Sequence, residues 1–253
     1  MSRHLSFRSG NPALNKNSFK ETISDVQRGP VTRNELMTIK GTVDKTAFSL
    51  LLMIGSGYYV YTEKIVSLIL PGCLLGLAVA IFTIFKKQYA PITVPIYALF
   101  QGLFLGGISF MYGQMYEGIV YNAVLLTVTI LLSLLLVYRS GLIKPTENFK
   151  LGIFAATGGI ALFYVISFVA SFFGGGLAIF DPTNGSMTSI LVSLFIVIIA
   201  SLNLVLDFDF IEEASENGAP KYMEWYGAFG LLVTLVWLYL EILRLLAKIN
   251  SRD

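Results

Sequence analysis

The chain has 253 residues, of which 55% are hydrophobic and only 13% are charged, and its formal net charge is +2. A soluble domain usually carries about 25% charged residues, so this composition excludes a soluble globular protein and indicates an all-α integral membrane protein. The single cysteine, Cys73, excludes an intramolecular disulfide. The basic residues cluster beside apolar runs, which favours a topological role over nucleic-acid binding.

The first 42 residues are polar, carry charges of both signs and lack the apolar core of a secretory signal. We expect a cytoplasmic N-terminal tail over residues 1–42, a transmembrane domain over residues 43–248 and a short C-terminal tail over residues 249–253. Thr32 and Glu35 have the spacing of a capping box, which predicts a short surface helix from about Thr32 to Lys40.

Seven apolar runs approach the roughly 20 residues needed to cross a bilayer. They predict spans at about Thr46 to Thr62, Ile65 to Phe85, Ile92 to Tyr112, Ile119 to Tyr138, Phe149 to Phe173, Met187 to Leu206, and Trp225 to Leu246. With the N-terminus inside, 14 of the 18 Lys and Arg residues lie on the inner side, as the positive-inside rule favours. This places the C-terminus outside, although its own residues are basic.

Two pairs of glycines recur at helix-packing spacing. Gly72 and Gly76 form one GxxxG pattern, and Gly102 and Gly106 form another. Such spacing lets helix backbones approach closely inside a membrane bundle. We favour tight packing as its role, with a pore lined by glycine backbone as the alternative.

A group of acids surrounds the last two spans. Asp207 ends the sixth predicted span, and Asp209 lies about 200° around the helix from it, so only one of the two, which we expect to be Asp207, points into the bundle. Glu224 begins the seventh span and should return to the height of Asp207 and Asp209. Further acids, expected in a loop between these spans, are Glu212, Glu213 and Glu216.

Acids at one level can bind a hard cation such as Ca²⁺ through oxygen, or can share a proton because neighbouring carboxylates resist full ionisation. Asp207, Asp209 and Glu224 are therefore the candidate transient Ca²⁺ site. The alternatives are an ordinary solvated loop, a helix N-terminal charge at Glu224 and a cap or ion pair at Asp207. Glu241 and Arg244 are three residues apart, which predicts a local ion pair.

The sequence lacks the residue patterns that common enzyme mechanisms require. His4 is the only histidine and lies in the polar tail, which argues against Ser–His or Cys–His catalysis and against an HExxH zinc site. The chain contains no GxxxxGK[ST] motif and no GxGxxG motif at a strand–helix junction. We therefore expect no enzyme and no cofactor, other than Ca²⁺ or H⁺ as a transported or sensed ion.

Two stretches carry a resemblance to a known family. They are FKKQYAPITVPIYALFQGLFLGGIS, residues 85–109, and LNLVLDFDFIEEASENGAPKYMEWYGAFGLLVTLVWLYLEILRLL, residues 202–246. Through them the chain resembles the Bax inhibitor-1/YccA family, the transmembrane Bax inhibitor motif proteins, in its larger bacterial branch. The resemblance implies a bundle in which six helices surround a central seventh, and it implies a pH-sensitive calcium leak channel in the bacterial inner membrane.

The family's gate, as the resemblance implies, is a proton-sharing pair of aspartates on the sixth and seventh spans, coupled to an arginine at the inner end of the second. Asp207 matches the first aspartate, within LDFDFI, and Lys86 stands in the place of the arginine. Thr234 takes the place of the second aspartate, so this pair cannot form. Either Glu224, which we favour, or Glu241 supplies the second acid, or the gate uses no pair of carboxylates.

These observations lead to a cation leak channel, permeable to Ca²⁺ and gated by protonation near Asp207, as the first functional hypothesis. The second is a regulatory protein that binds a membrane partner such as a quality-control protease, which the resemblance to the YccA branch suggests, with the polar tail as its handle. A proton-coupled transporter is a third hypothesis, but the chain shows no visible inverted repeat.

Overall fold

The computed structural model describes residues 36–143, 145–173 and 178–252, and in these ranges the chain is a bundle of seven long helices. They are α1 Ile39–Glu63, α2 Ile69–Phe85, α3 Ala90–Met115, α4 Ile119–Arg139, α5 Glu147–Ser171, α6 Met187–Glu216 and α7 Met223–Asn250. Short 3₁₀ turns at Val66–Leu68 and Lys87–Tyr89 lead into α2 and α3, and a third lies at Ala178–Phe180. The predicted all-α, seven-helix fold is confirmed.

Six of these helical segments are long and apolar enough to cross a membrane. They are Val66–Phe85, Lys87–Met115, Ile119–Arg139, Glu147–Ser171, Met187–Glu216 and Met223–Asn250. Helix α1 has 25 residues, a length of about 38 Å at 1.5 Å per residue, but polar side chains interrupt its apolar run. With this composition the protein is an integral membrane protein.

Helix α7 is the central element of the bundle. In its most apolar stretch 67% of the residues are buried, compared with 56% in α6 and at most 39% in the other candidate spans. It packs directly against α1, α3, α4 and α6, whereas α2 packs mainly on α3. A C-terminal helix at the centre, as predicted, gives its polar residues the most enclosed positions in the molecule.

The largest differences from the sequence-based helix boundaries lie at the start of α1 and at the end of α6. Helix α1 begins at Ile39, where the Thr38 hydroxyl accepts a hydrogen bond from the Gly41 N–H, and not at Thr46. The capping box predicted at Thr32 and Glu35 lies outside the described residues. Helix α6 continues ten residues beyond Leu206, to Glu216, so the acids expected in a loop are helical.

Glycine backbones bring α1 and α3 together. A Cβ at Gly106 would overlap the carbonyl oxygen of Gly57, and a Cβ at Gly102 would overlap the hydroxyl of Ser56. The same holds between α2 and α3, since a Cβ at Gly72 would stand 2.8 Å from the backbone nitrogen of Phe104. Both GxxxG patterns therefore serve tight packing.

The bundle has two ends that matter for the site. We call the end with the α6–α7 turn, Asn217–Tyr222, the turn end, and we call the end where α7 finishes and α6 begins the far end. At the turn end, Leu36 forms an isolated antiparallel bridge with Pro220, and the Met37 N–H donates to the Ala219 carbonyl over 2.6 Å. This extended segment, Leu36–Thr38, is the strap, and it ties the start of α1 to the α6–α7 turn.

Candidate functional site

Asp207 lies in the interface between α6 and α7. Its side chain is fully buried, and its Oδ2 accepts a hydrogen bond of 2.6 Å from the hydroxyl of Thr234, itself only 3% exposed. Asp207 is 20 residues from the start of α6, a rise of about 30 Å, so it sits close to the limit of a hydrocarbon core of about that thickness. A buried carboxylate here links two helices whose residues are 27 positions apart.

Asn203 extends this polar region by one helical turn. Its Nδ2 donates to the Thr157 hydroxyl of α5 over 2.8 Å and to the Ile199 carbonyl over 2.9 Å. Within the described residues its Oδ1 is buried without a hydrogen-bond partner. Because residues four apart share a helix face, Asn203 and Asp207 form one polar seam between α5, α6 and α7.

Asp209 points away from this seam. Its carboxylate forms an ion pair with the ammonium of Lys150, from the first turn of α5, and the two side chains are 24% and 7% exposed. One turn further along α6, Glu212 accepts a hydrogen bond from the Tyr138 hydroxyl at the end of α4. Glu213 and Glu216 lie in the last turns of the helix. Asp209 and Glu212 therefore connect α6 to α5 and α4 at the turn end, and all four acids are helical and not part of a loop.

Glu224 is engaged by α1 and not by Asp207. Its fully buried carboxylate accepts hydrogen bonds from the Thr38 N–H and hydroxyl at 2.9 and 2.8 Å, and it pairs with Lys45 and Lys221. Gly41 lies beneath it, where any Cβ would overlap the carboxylate. Glu224 thus fastens the strap and the first turns of α1 onto α7.

The predicted Ca²⁺ site of Asp207, Asp209 and Glu224 is not assembled. Each acid has a different partner on a different helix, and the described part of the chain contains no group of three Asp, Glu, His or Cys residues placed to hold a metal ion. The favoured second acid, Glu224, is likewise directed to α1. Acids at the same height in the bundle can face different neighbours, because the direction of each side chain depends on its position around its own helix.

Lys86, expected in the place of the family's arginine, is exposed at the C-cap of α2. The next residue, Lys87, is the one turned toward the bundle, with its ammonium 5.8 Å from the centre of the Tyr226 ring on α7. A shift of one residue after a helix end changes the direction of a side chain by a large angle. The sequence therefore could not show which of Lys86 and Lys87 faces the bundle.

Glu241 lies in a second polar cluster nearer the far end. Its side chain is 2% exposed and accepts hydrogen bonds from the Tyr164 hydroxyl at 2.5 Å and from Arg244 Nη1 at 2.8 and 2.9 Å. The predicted Glu241–Arg244 pair is therefore present. The guanidinium also lies 5.5 Å from the Tyr164 ring centre and 5.8 Å from that of Phe180.

Several partners of these polar clusters were not predicted, among them Tyr138, Lys150, Tyr164 and Lys248. Lys248 is fully buried and donates to the Ile179 carbonyl at 2.5 Å and to the Ser193 hydroxyl at 2.8 Å. For Lys150 and Lys248 the available signal was a basic residue at the end of an apolar run. The positive-inside rule already explains such a residue, so the sequence offered no separate reason to expect a buried partner. The tyrosines carried no signal, because aromatic residues are common near membrane interfaces.

Comparison with known proteins gives one match. A family model described as Bax inhibitor 1 like covers residues 11–251. No curated protein and no solved structure matches the chain significantly.

Proposed function

Since the chain belongs to the Bax inhibitor 1-like family, we propose that it is a cation leak channel, permeable to Ca²⁺ and gated by protonation of Asp207. The observation that carries the proposal is the fully buried carboxylate of Asp207 bound to Thr234 across the α6–α7 interface. Ionisable residues at membrane depth are costly and usually have a role in moving or sensing ions.

The proposed gate works through the strength of one bond. An ionised Asp207 receives a charge-assisted hydrogen bond from Thr234, which is stronger than a bond between neutral groups and holds α6 against α7. Protonation removes the charge and turns the carboxyl group into a donor, so the contact weakens and the two helices can separate. The Thr234 hydroxyl, which donates to Asp207 here, carries no charge that protonation could change, so this gate needs one carboxyl group where the family pattern has two.

The test is Ca²⁺ entry into proteoliposomes, followed over a range of pH. Asp207→Asn has the shape of the protonated acid and should leak at every pH, with no dependence on pH. Glu216→Gln is the matched control, since it neutralises an exposed acid in the last turn of the same helix. If Asp207→Asn and the unmodified protein give the same trace at every pH, the gating proposal is wrong.

The distribution of Lys and Arg supports a cytoplasmic N-terminus, with the turn end facing the cytoplasm. The resemblance to the bacterial branch of the family suggests that the membrane is a bacterial inner membrane. In this arrangement Asp207 would respond to the cytoplasmic proton concentration. Replacing Ca²⁺ with Mg²⁺, Na⁺ or K⁺ in the same liposome assay would identify the permeant ion.

A second function, regulation of a membrane partner such as a quality-control protease, is favoured by the strap. Leu36–Thr38 connects the N-terminal tail to the α6–α7 turn and, through Thr38, to Glu224. A partner that binds the tail could therefore act through the strap on α6 and α7, the two helices that form the proposed gate. Removing residues 1–35 leaves the strap in place, and it should abolish capture of the protease while sparing ion flux; retained capture would contradict this role.

A further inference from the structure

The polar residues of α6 and α7 recur at seven-residue intervals. Thr234, Glu241 and Lys248 are buried on one face of α7, and Asp207 and Ser193 are buried on the facing side of α6. Asp207 bonds to Thr234, and Ser193 bonds to Lys248. Because the helices are antiparallel, this register places Ala200 opposite Glu241. Seven residues rise about 10.5 Å, so Glu241 lies two turns from the Asp207 layer toward the far end.

Glu241 and Arg244 are unequally enclosed. The glutamate side chain is 2% exposed, whereas that of the arginine is 24% exposed. A carboxylate this deep needs a counter-charge, since removing one partner of a buried pair leaves the other uncompensated. Arg244 supplies that charge from the more open side, at the end of a long and flexible side chain.

A cavity of about 420 Å³ lies beside Arg244. Among the residues that line it are Tyr164, Ser167, Ser171, Phe180, Asp181 and Arg244. Hydrogen bonds from the side chain and backbone N–H of Thr183 hold the pKa of the Asp181 carboxyl below its usual range. The cavity therefore has room for the guanidinium to move away from Glu241, and an ionised acid at its edge favours cations.

We infer that Glu241 and Arg244 form a second gate in series with Asp207. In the closed state the Arg244 guanidinium occupies the position beside Glu241 where a permeating cation would bind. The inference depends on the proposed channel function. A cation that enters through the cavity replaces the guanidinium on Glu241. The Arg244 side chain then moves into the part of the cavity that the cation has left. The other charged or titratable groups facing the pair are Tyr112 of α3, Tyr164 of α5, Asp181, and Lys248 of α7.

The test compares Ca²⁺ flux in proteoliposomes through Arg244→Gln, Glu241→Gln and Arg252→Gln, each combined with Asp207→Asn so that the first gate is already open. Arg244→Gln exposes Glu241 to incoming ions and should raise the leak several-fold. In a channel already opened by Asp207→Asn, adding Glu241→Gln should lower Ca²⁺ flux relative to Na⁺ flux. Arg252→Gln removes an exposed cation at the same end and should change neither quantity.

Each result separates this gate from the Asp207 gate. If Asp207→Asn/Arg244→Gln folds, as judged by gel filtration and thermal unfolding, yet leaks like Asp207→Asn alone, while Asp207→Asn differs from the unmodified protein, the second gate is wrong and the channel stands. If neither variant differs from the unmodified protein, both proposals are wrong. Should Asp207→Asn/Arg244→Gln fail to fold, Tyr164→Phe combined with Asp207→Asn removes one of the donors to Glu241 and should produce a smaller increase in leak; no increase would overturn the second gate.

Discussion

Gly41 in the first turn of α1 lies directly against the carboxylate of Glu224 on α7, with no room for a side chain between them. The absence of a Cβ at this position lets the Thr38 N–H and hydroxyl reach Glu224 at 2.9 and 2.8 Å. The contact joins residues more than 180 positions apart and closes the turn end of the bundle.

Gly41→Ala should therefore destabilise the protein. The added methyl group would overlap the Glu224 carboxylate and force α1 or the glutamate to move, at a cost of about 1–3 kcal/mol. Thermal unfolding in detergent measures the change. Gly55→Ala, in the same helix with no atom within 4 Å of the new Cβ, should be neutral or stabilising by up to about 1 kcal/mol. Equal melting temperatures for the two variants would contradict the close contact.

Glu224→Gln should loosen the strap while keeping the shape of the side chain. The amide oxygen can still accept from Thr38, but the ion pairs with Lys45 and Lys221 are lost, and the lysine side chains are 20% and 49% exposed. Given that solvent screening, we expect a loss of about 1–3 kcal/mol and faster proteolysis near Leu36–Thr38. Glu63→Gln, an exposed acid in α1, is the control and should leave the cleavage rate unchanged.

Thr234→Val should weaken the closed state at Asp207. Valine has a similar shape but cannot donate, so the buried carboxylate loses one hydrogen bond, at a cost of about 1–3 kcal/mol. The flux of Ca²⁺ at high pH should rise, because ionised Asp207 no longer holds α7 through this bond. Thr234→Ser restores the hydroxyl and should behave like the unmodified protein. A normal flux profile in Thr234→Val would show that the hydroxyl does not hold the gate.

The Lys150–Asp209 pair should show coupling in a double-mutant cycle. Residues in direct contact typically couple by about 0.5–3 kcal/mol. Asp209→Asn should destabilise more than Lys150→Met, because it leaves the more buried charge, Lys150 at 7% exposure, without its partner. Thermal unfolding of both single variants and of Lys150→Met/Asp209→Asn together provides the comparison; strict additivity would mean that the pair contributes nothing.

The boundary predicted at Leu206 shows that local sequence patterns are not sufficient to locate the end of α6. An apolar run ends there, and the following acids looked like a loop. In the structure α6 continues, since Asp209 and Glu212 find Lys150 and Tyr138 on neighbouring helices. Helix α1 was likewise predicted to start too late, because the residues that begin it are stabilised by Glu224 at the other end of the chain.

Composition and the length of the apolar runs determined that this is a seven-helix membrane protein, because the membrane demands about 20 apolar residues for each crossing. The angle of about 200° between Asp207 and Asp209 on a helix indicated that only one of them points into the bundle, and we expected that one to be Asp207. Only the tertiary structure decided which acid meets which partner: Asp207 meets Thr234, Asp209 meets Lys150, and Glu224 meets Thr38 and Lys45. Helical period fixes the direction of a side chain relative to its own helix, but the neighbour it meets depends on how distant helices pack.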